Sequence, residues 1–349
     1  MEVPSIFINR ILAEVAKKNA IGLHLTAGNL PLLKIDNQLI EMEGETIVSG
    51  ELISKMVDTF LSEKEKEKLD KEREIIIVKN FAGNFRFRID IFFQKDLPSL
   101  SFRYIPEVIK NIGDLKLPSV LSNLAKLDSG LFIITGPQLS GKTTTSAAIV
   151  EEINRNKRKL IITIEDPIEY LFTNKKSIIE QRQAGRDVMS VLTGVKHTIE
   201  KDVDVVFLGE IRNEFKEAAP YILELAAGNS LVLLEVNADS AARALDKILN
   251  SMQTKATEEA ARYSLADVLV GVIAQKLFPR RGGGLVPACE IVLANAPIKS
   301  LIREGKTYQI EGIVQTSRKE GMVIMEKAIE ELVRSGDIKQ EDVGEEAII

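Results

Sequence analysis

The sequence predicts an α/β protein whose C-terminal part is built on a mostly parallel sheet, preceded by a smaller α+β domain. Three observations carry this expectation. At 349 residues the chain is too long for one small core and suits two domains. From Ser129 onward, short apolar stretches alternate with longer helical segments, the pattern of strands covered by helices on both faces. A glycine-containing loop follows the first of those stretches and leads straight into a helix.

Taken in order, Ile6 to Lys18 spaces its apolar residues at three and four, as an amphipathic helix does. Leu30 to Asn37 reads as a strand running into a turn at Asp36 and Asn37. A polar helix is expected from about Ser49 to Lys71, and the charge run Glu63 to Glu74 reads as a solvated helix face. Two strands follow, Glu74 to Lys79 and Asn84 to Gln94. In the second, Phe85, Phe87, Ile89, Ile91 and Phe93 alternate with Arg86, Arg88, Asp90 and Phe92. A period of two buries the first set and turns both arginines to the opposite face. The first domain is thus expected at 1–105, with 106–127 a linker carrying one helix and 128–349 the second domain. There the strands are expected at Leu131 to Thr135, Lys159 to Ile164, Val203 to Leu208 and Ser230 to Val236. Arg281-Gly282-Gly283-Gly284 is a turn between two later strands, and the chain from Gly321 on is mostly helical, acidic and frayed at its end.

Composition removes several function classes. Apolar residues at 45% and charged residues at 28% are those of a soluble globular protein. No uncharged apolar run reaches the roughly 18 residues of a membrane span, and Met1-Glu2-Val3-Pro4 lacks the basic start of a secretory leader. A single cysteine, Cys289, forbids an intrachain disulfide and a cysteine-held zinc; with only His24 and His197, a histidine metal site is not expected either. A net charge of −5 weighs only slightly against wrapping nucleic acid, which demands a basic face that a local patch can still supply.

The chemistry concentrates in Gly136-Pro137-Gln138-Leu139-Ser140-Gly141-Lys142-Thr143, which fits the phosphate-loop pattern G-x-x-x-x-G-K-[ST] between an apolar strand and the helical stretch Thr144 to Arg155. Loop N–H groups and the helix N-terminus converge on phosphates, Lys142 supplies positive charge, and the Thr143 hydroxyl suits magnesium. Gly136, Pro137, Ser140, Gly141, Lys142, Thr143 and Thr144 are therefore expected to bind ATP with Mg2+. Hydrolysis also needs the metal secured and a water positioned. Two acidic segments end apolar strands, where ligand crevices form in parallel sheets: Thr163-Ile164-Glu165-Asp166-Pro167-Ile168-Glu169, and Asp204 to Arg212 with Gly209-Glu210 inside it. Either alone reads as readily as a helix cap or a surface acid. Behind a phosphate loop, the two together point to hydrolysis.

These segments resemble the secretion and pilus superfamily of hexameric ATPases, and within it the retraction branch (the PilT family), over nearly the whole chain. Gly22-Leu23-His24-Leu25-Thr26-Ala27-Gly28 is similar to the family's N-terminal D-[LI]-H-[LI] segment. Arg86-Phe87-Arg88 and Phe102-Arg103 fall where the family has arginine-bearing strands. The segment at Glu165 resembles the aspartate box, and Gly209-Glu210-Ile211-Arg212 the glutamate-ending Walker B. Pro297 to Glu304 is similar to A-I-R-N-L-I-R-E, the retraction branch's signature, and there is no four-cysteine zinc insertion. The resemblance implies a PAS-like N-terminal domain, a RecA-like C-terminal domain, nucleotide between them and a homohexamer whose domain motion drives type IV pilus retraction and twitching. It implies Glu165 as the water-activating base, Glu210 as a magnesium holder acting through water, and Arg86, Arg88 and Arg103 as groups reaching the phosphates. Read as residues alone, Arg86 and Arg88 fit an exposed ladder of sheet charges, and His24 a packed strand residue. The implied partners are the pilus inner-membrane platform protein and a companion pilus ATPase, with no nucleic acid, at the cytoplasmic face of the membrane and without insertion.

The departures from the family pattern leave a second reading open. By position, Ser230 and Asn237 stand where the family's histidine box has its two histidines. Glu200-Lys201-Asp202-Val203-Asp204 replaces R-Q-D-P-D, Gly22 replaces an acid, and Lys299 an arginine. Leu139 takes the place of a third loop glycine, although leucine disfavours the left-handed backbone that glycine accepts. ATP-binding groups are spared while coupling groups are touched, so the alternative to an active motor is an ATP-binding, weakly hydrolysing accessory or regulatory subunit. An assembly-type secretion ATPase and a nucleic-acid translocase are the remaining readings; the translocase predicts stimulation by DNA or RNA.

Overall fold

The computed structural model describes residues 4–18, 20–35, 38–252 and 258–344, and the chain divides into two units. The first comprises Met1–Val108 with Glu169–Leu171, the second Ile109–Ile168 with Phe172–Ile349.

The first unit runs α1 (Pro4–Lys17), β1 (Gly22–Leu25), β2 (Leu32–Ile35), β3 (Gln38–Glu41), α2 (Gly50–Phe60), α3 (Glu63–Glu72), β4 (Glu74–Phe81), β5 (Phe85–Gln94) and β6 (Leu97–Ile105). Its strands form a six-stranded antiparallel sheet in the order β3-β2-β1-β6-β5-β4. The alternation of β5 buries Phe87, Ile89 and Ile91 against Ile11 and Leu12 of α1 and Met56 and Phe60 of α2, while Arg86 and Arg88 stay partly exposed between them. The expected turn at Asp36 and Asn37 lies outside the described residues. One expectation is corrected: the polar helix from Ser49 to Lys71 is two helices. Leu61 is buried with an extended backbone, and Glu65 accepts the Ser62 N–H at 2.8 Å, so Ser62 starts a new helix. Of α3 only Leu69 is buried, which leaves its charge run in solvent.

The second unit runs α4 (Leu121–Leu124), β7 (Gly130–Gly136), α5 (Lys142–Asn156), β8 (Leu160–Glu165), β9 (Ile178–Gln183), α6 (Val191–Ile199), β10 (Val205–Leu208), α7 (Phe215–Ala227), β11 (Leu231–Asn237), α8 (Ala241–Ser251), α9 (Glu258–Val268), β12 (Leu269–Pro279), β13 (Leu285–Leu293), α10 (Ala296–Arg303), α11 (Ile310–Thr316) and α12 (Met325–Arg334). The seven-stranded sheet has the order β13-β12-β7-β11-β10-β8-β9 and is parallel except for the edge strand β13. Both faces are apolar, as continuous strand runs require. Phe132, Ile134, Phe207, Leu231 and Leu233 pack with Ile149 and Ile153 of α5. Ile133, Ile164, Val206, Val232 and Leu234 pack with Val195 of α6, Ile222 of α7 and Leu245 of α8. α12 lies on β13 through Ile329 and Val286; beyond it, residues 345–349 of the end expected to fray lie outside the described residues.

Candidate nucleotide site

The central strand β7 delivers the phosphate loop, and α5 begins at Lys142. At Gly136 the backbone has φ 150°, and a Cβ there would lie 2.4 Å from the Gln275 carbonyl and 2.5 Å from Ser140 Oγ, so only glycine fits. Gly141 enters the helix at φ 86°. Leu139 adopts the left-handed backbone it was expected to resist, at φ 65°, with its side chain 61% exposed. That conformation costs an L-residue about 1 kcal/mol. Gln275 of β12 braces the loop, its Nε2 donating to the Ser140 carbonyl at 2.7 Å, while Ser140 Oγ is buried with no hydrogen-bond partner among the described residues.

Lys142 is buried and donates to the carbonyls of Gly136 (3.0 Å) and Pro137 (2.9 Å). Its ammonium is also 3.6 Å from Glu210, which follows β10 by two residues. Asn237, at the end of β11, donates to the same carboxylate at 3.5 Å. The amide that replaces an expected histidine thus touches Glu210. Ser230, the other replacement, lies just before the opposite end of β11 and donates to the Val203 carbonyl at 2.6 Å. Glu165 ends β8, and the pairing of Leu208 with Ile164 puts Gly209 level with it on the sheet. Glu165 is buried, and the Thr163 hydroxyl donates to it at 2.7 Å. Thr144 lies in the first turn of α5.

The Thr143 hydroxyl donates to Glu235 of β11 at 3.2 Å. Sequence reasoning missed Glu235, along with Gln275. The available signal was an acid inside Leu231-Val232-Leu233-Leu234-Glu235-Val236, a run otherwise wholly apolar.

Arg86, Arg88 and Arg103 converge within the first unit on Glu169. Arg88 Nη1 lies 2.8 Å and Arg103 Nη2 2.5 Å from Glu169 Oε1, and Arg86 Nε donates to the Glu169 carbonyl at 2.6 Å. Arg88 and Arg103 are directly paired across β5 and β6, where like charges repel, so the carboxylate between them is what makes the pairing tolerable. Burial alone would lower the Arg88 pKa, but the charges of Asp90 and Glu169 outweigh it and raise it. His24 is half-buried on β1, and burial, aided by Lys34, pushes its imidazole below the usual range. Cys289 is buried and its thiol is pushed up to about 12, which removes it as a nucleophile.

The profile of the type II/IV secretion system protein family matches residues 3–345. The chain is 31% identical to the type IV pilus retraction ATPase PilT of Pseudomonas aeruginosa, over 98% of both chains. It is 29% identical to the type IV pilus ATPase PilU of the same organism, over 95% of its own length and 86% of that relative's. A crystal structure of the pilus retraction motor PilT with bound ADP matches with a TM-score of 0.81 at 32% identity, covering 97% of this chain and 96% of that one. A phosphate loop in its strand–helix setting and similarity along the whole length agree: the chain belongs to the type II/IV secretion system protein family.

Proposed function

We propose that the chain is a magnesium-dependent ATP hydrolase that assembles as a homohexamer and powers type IV pilus retraction. The observation that carries this reading is the meeting of Lys142, held by its own loop, with Glu210 at the tip of β10, in a chain similar end to end to a pilus retraction ATPase. The donor set suits a polyphosphate: a buried ammonium, the first N–H groups of α5, and Ser140 Oγ, buried and unpartnered among the described residues. The Thr143 hydroxyl and the Glu210 carboxylate suit Mg2+, Glu210 acting through a water. Bound there, the cation would offset charge on the phosphate oxygens during transfer.

Lys142 points its side-chain nitrogen at the terminal phosphates, and the loop N–H groups fix their position. Glu165, at the strand end beside Gly209, accepts a proton from the attacking water. Arg86, Arg88 and Arg103 act on nucleotide charge by exchanging Glu169 for phosphate oxygens. The partner is the pilus inner-membrane platform protein at the cytoplasmic face of the membrane, with a companion pilus ATPase alongside and no nucleic acid. Among the described residues no helix is long and apolar enough to cross a membrane, so attachment through a protein partner suits the chain.

A second reading, an ATP-binding accessory subunit with weak turnover, is favoured by the histidine-box positions, where Ser230 holds a strand carbonyl and Asn237 offers a neutral amide to Glu210. Glu165→Gln separates the two. For a motor it lowers kcat by roughly 10²- to 10⁴-fold and leaves ATP affinity within about twofold, since the amide keeps the shape but takes no proton. Wild-type turnover no higher than that of the variant would leave the accessory subunit as the reading.

A further inference from the structure

Glu235 lies inside β11 among Leu231, Val232, Leu233, Leu234 and Val236, and is 2% exposed. An acid buried in the sheet is costly unless its oxygens are satisfied, and an apolar residue of similar volume would fill the place at less cost. Strand alternation turns Glu235 to the same face as Leu231 and Leu233, the face covered by α5. There Oε2 accepts the Thr143 hydroxyl at 3.2 Å, and Oε1 lies 2.8 Å from the Ser146 hydroxyl, whose proton is shared with the Lys142 carbonyl at 3.0 Å. The next residue on that face, Asn237, reaches Glu210. β11 therefore contacts both groups that suit the metal, one through each side chain.

We propose that Glu235 is a positioning residue for the metal–nucleotide site. It accepts the Thr143 hydrogen bond, with no proton transferred, which orients the hydroxyl and leaves its oxygen lone pairs for Mg2+. This rests on the ATPase reading above and adds a third acid, from a third strand, to the carboxylates of β8 and β10. Partners that orient a metal ligand in this way are worth roughly 10- to 100-fold in metal affinity.

The test is the affinity for a fluorescent ADP analogue with saturating Mg2+ and again with EDTA; the ratio isolates the metal's contribution. Glu235→Met packs into the strand but accepts no hydrogen bond. It should lower the ratio by roughly 10-fold while leaving the EDTA affinity within about twofold. Glu235→Gln keeps one acceptor oxygen and should fall between Met and wild type. In a Thr143→Val background, Glu235→Met should change the ratio no further. A wild-type ratio in Glu235→Met, or a loss that persists beside Thr143→Val, would overturn the proposal. If Glu235→Met does not fold, Glu235→Gln, which keeps the packing and only one acceptor oxygen, carries the test, and a wild-type ratio in it together with a lowered ratio in Thr143→Val would count equally against the proposal. Wild type that binds no analogue in either buffer would instead overturn the ATPase reading on which the proposal stands.

Discussion

Glu169 answers two guanidinium groups that face each other across β5 and β6, and its side chain is 8% exposed. Removing an arginine leaves one good ion pair, whereas removing the carboxylate leaves Arg88 and Arg103 opposed without a counter-charge. Glu169→Ala should therefore cost more stability than Arg88→Ala, on the order of 1–3 kcal/mol for the former after allowing for the partial exposure of both arginines. Thermal unfolding of the two variants checks the ranking, and an Arg88→Ala loss equal to or above that of Glu169→Ala contradicts it. Lys142→Ala should weaken nucleotide binding by roughly 10- to 100-fold, the worth of a hydrogen-bonded charge on phosphate; unchanged affinity in a titration would remove the loop from the site. The placement of the loop between strand and helix, and of Glu165 and Glu210 at strand ends, was legible because each has a local pattern. Glu169 and Glu235 were not, because their partners are 66 to 92 positions away in sequence. Nothing in a linear pattern marks an acid as the counter-charge of two arginines or as the acceptor of one threonine.

At the scale of elements, the central strands were readable because burial on both faces leaves little but apolar residues in them, as in β7, β10 and β11. β9 was not read: Ile178-Ile179-Glu180-Gln181-Arg182-Gln183 lies at a sheet edge, half-solvated, and carries little apolar signal. The break between α2 and α3 was hidden because Leu61 fits the helical spacing of apolar residues, and only the Ser62–Glu65 contact reveals a new start. One contact between elements has a pH dependence. Glu290 of β13 is raised from 4.5 to about 7, mainly by burial, while the Ala241 N–H at the start of α8 pulls the other way. A raised carboxylate holds its proton more tightly folded than unfolded, so its contribution is full below about 4.5 and is lost as pH rises through 7. Glu290→Gln keeps the neutral form at every pH. Relative to wild type its melting temperature should climb between pH 5 and pH 8, by an amount worth at most about 3 kcal/mol. A difference that stays flat across that window would mean Glu290 is not perturbed.

For the whole molecule, family membership and a complete phosphate loop lead to the same expectation, a nucleotide-driven ring. Sedimentation of the purified protein with ATP and Mg2+ should give a mass six times that of the 38.7 kDa chain. A monomer at every concentration, with and without nucleotide, would contradict the ring. Assembly was not legible from composition or periodicity; it follows from the resemblance alone, since no single chain carries the partner surfaces of a hexamer in its own core. The most direct measurement is steady-state ATP hydrolysis by the oligomer in excess Mg2+, wild type against Glu210→Gln. Turnover that the substitution lowers by roughly 10²-fold or more is the expected result, because Glu210 sits beside Lys142 at the end of β10 and suits the metal. Equal rates in the two proteins would mean that this site does not hydrolyse ATP, and that the chain works by binding it.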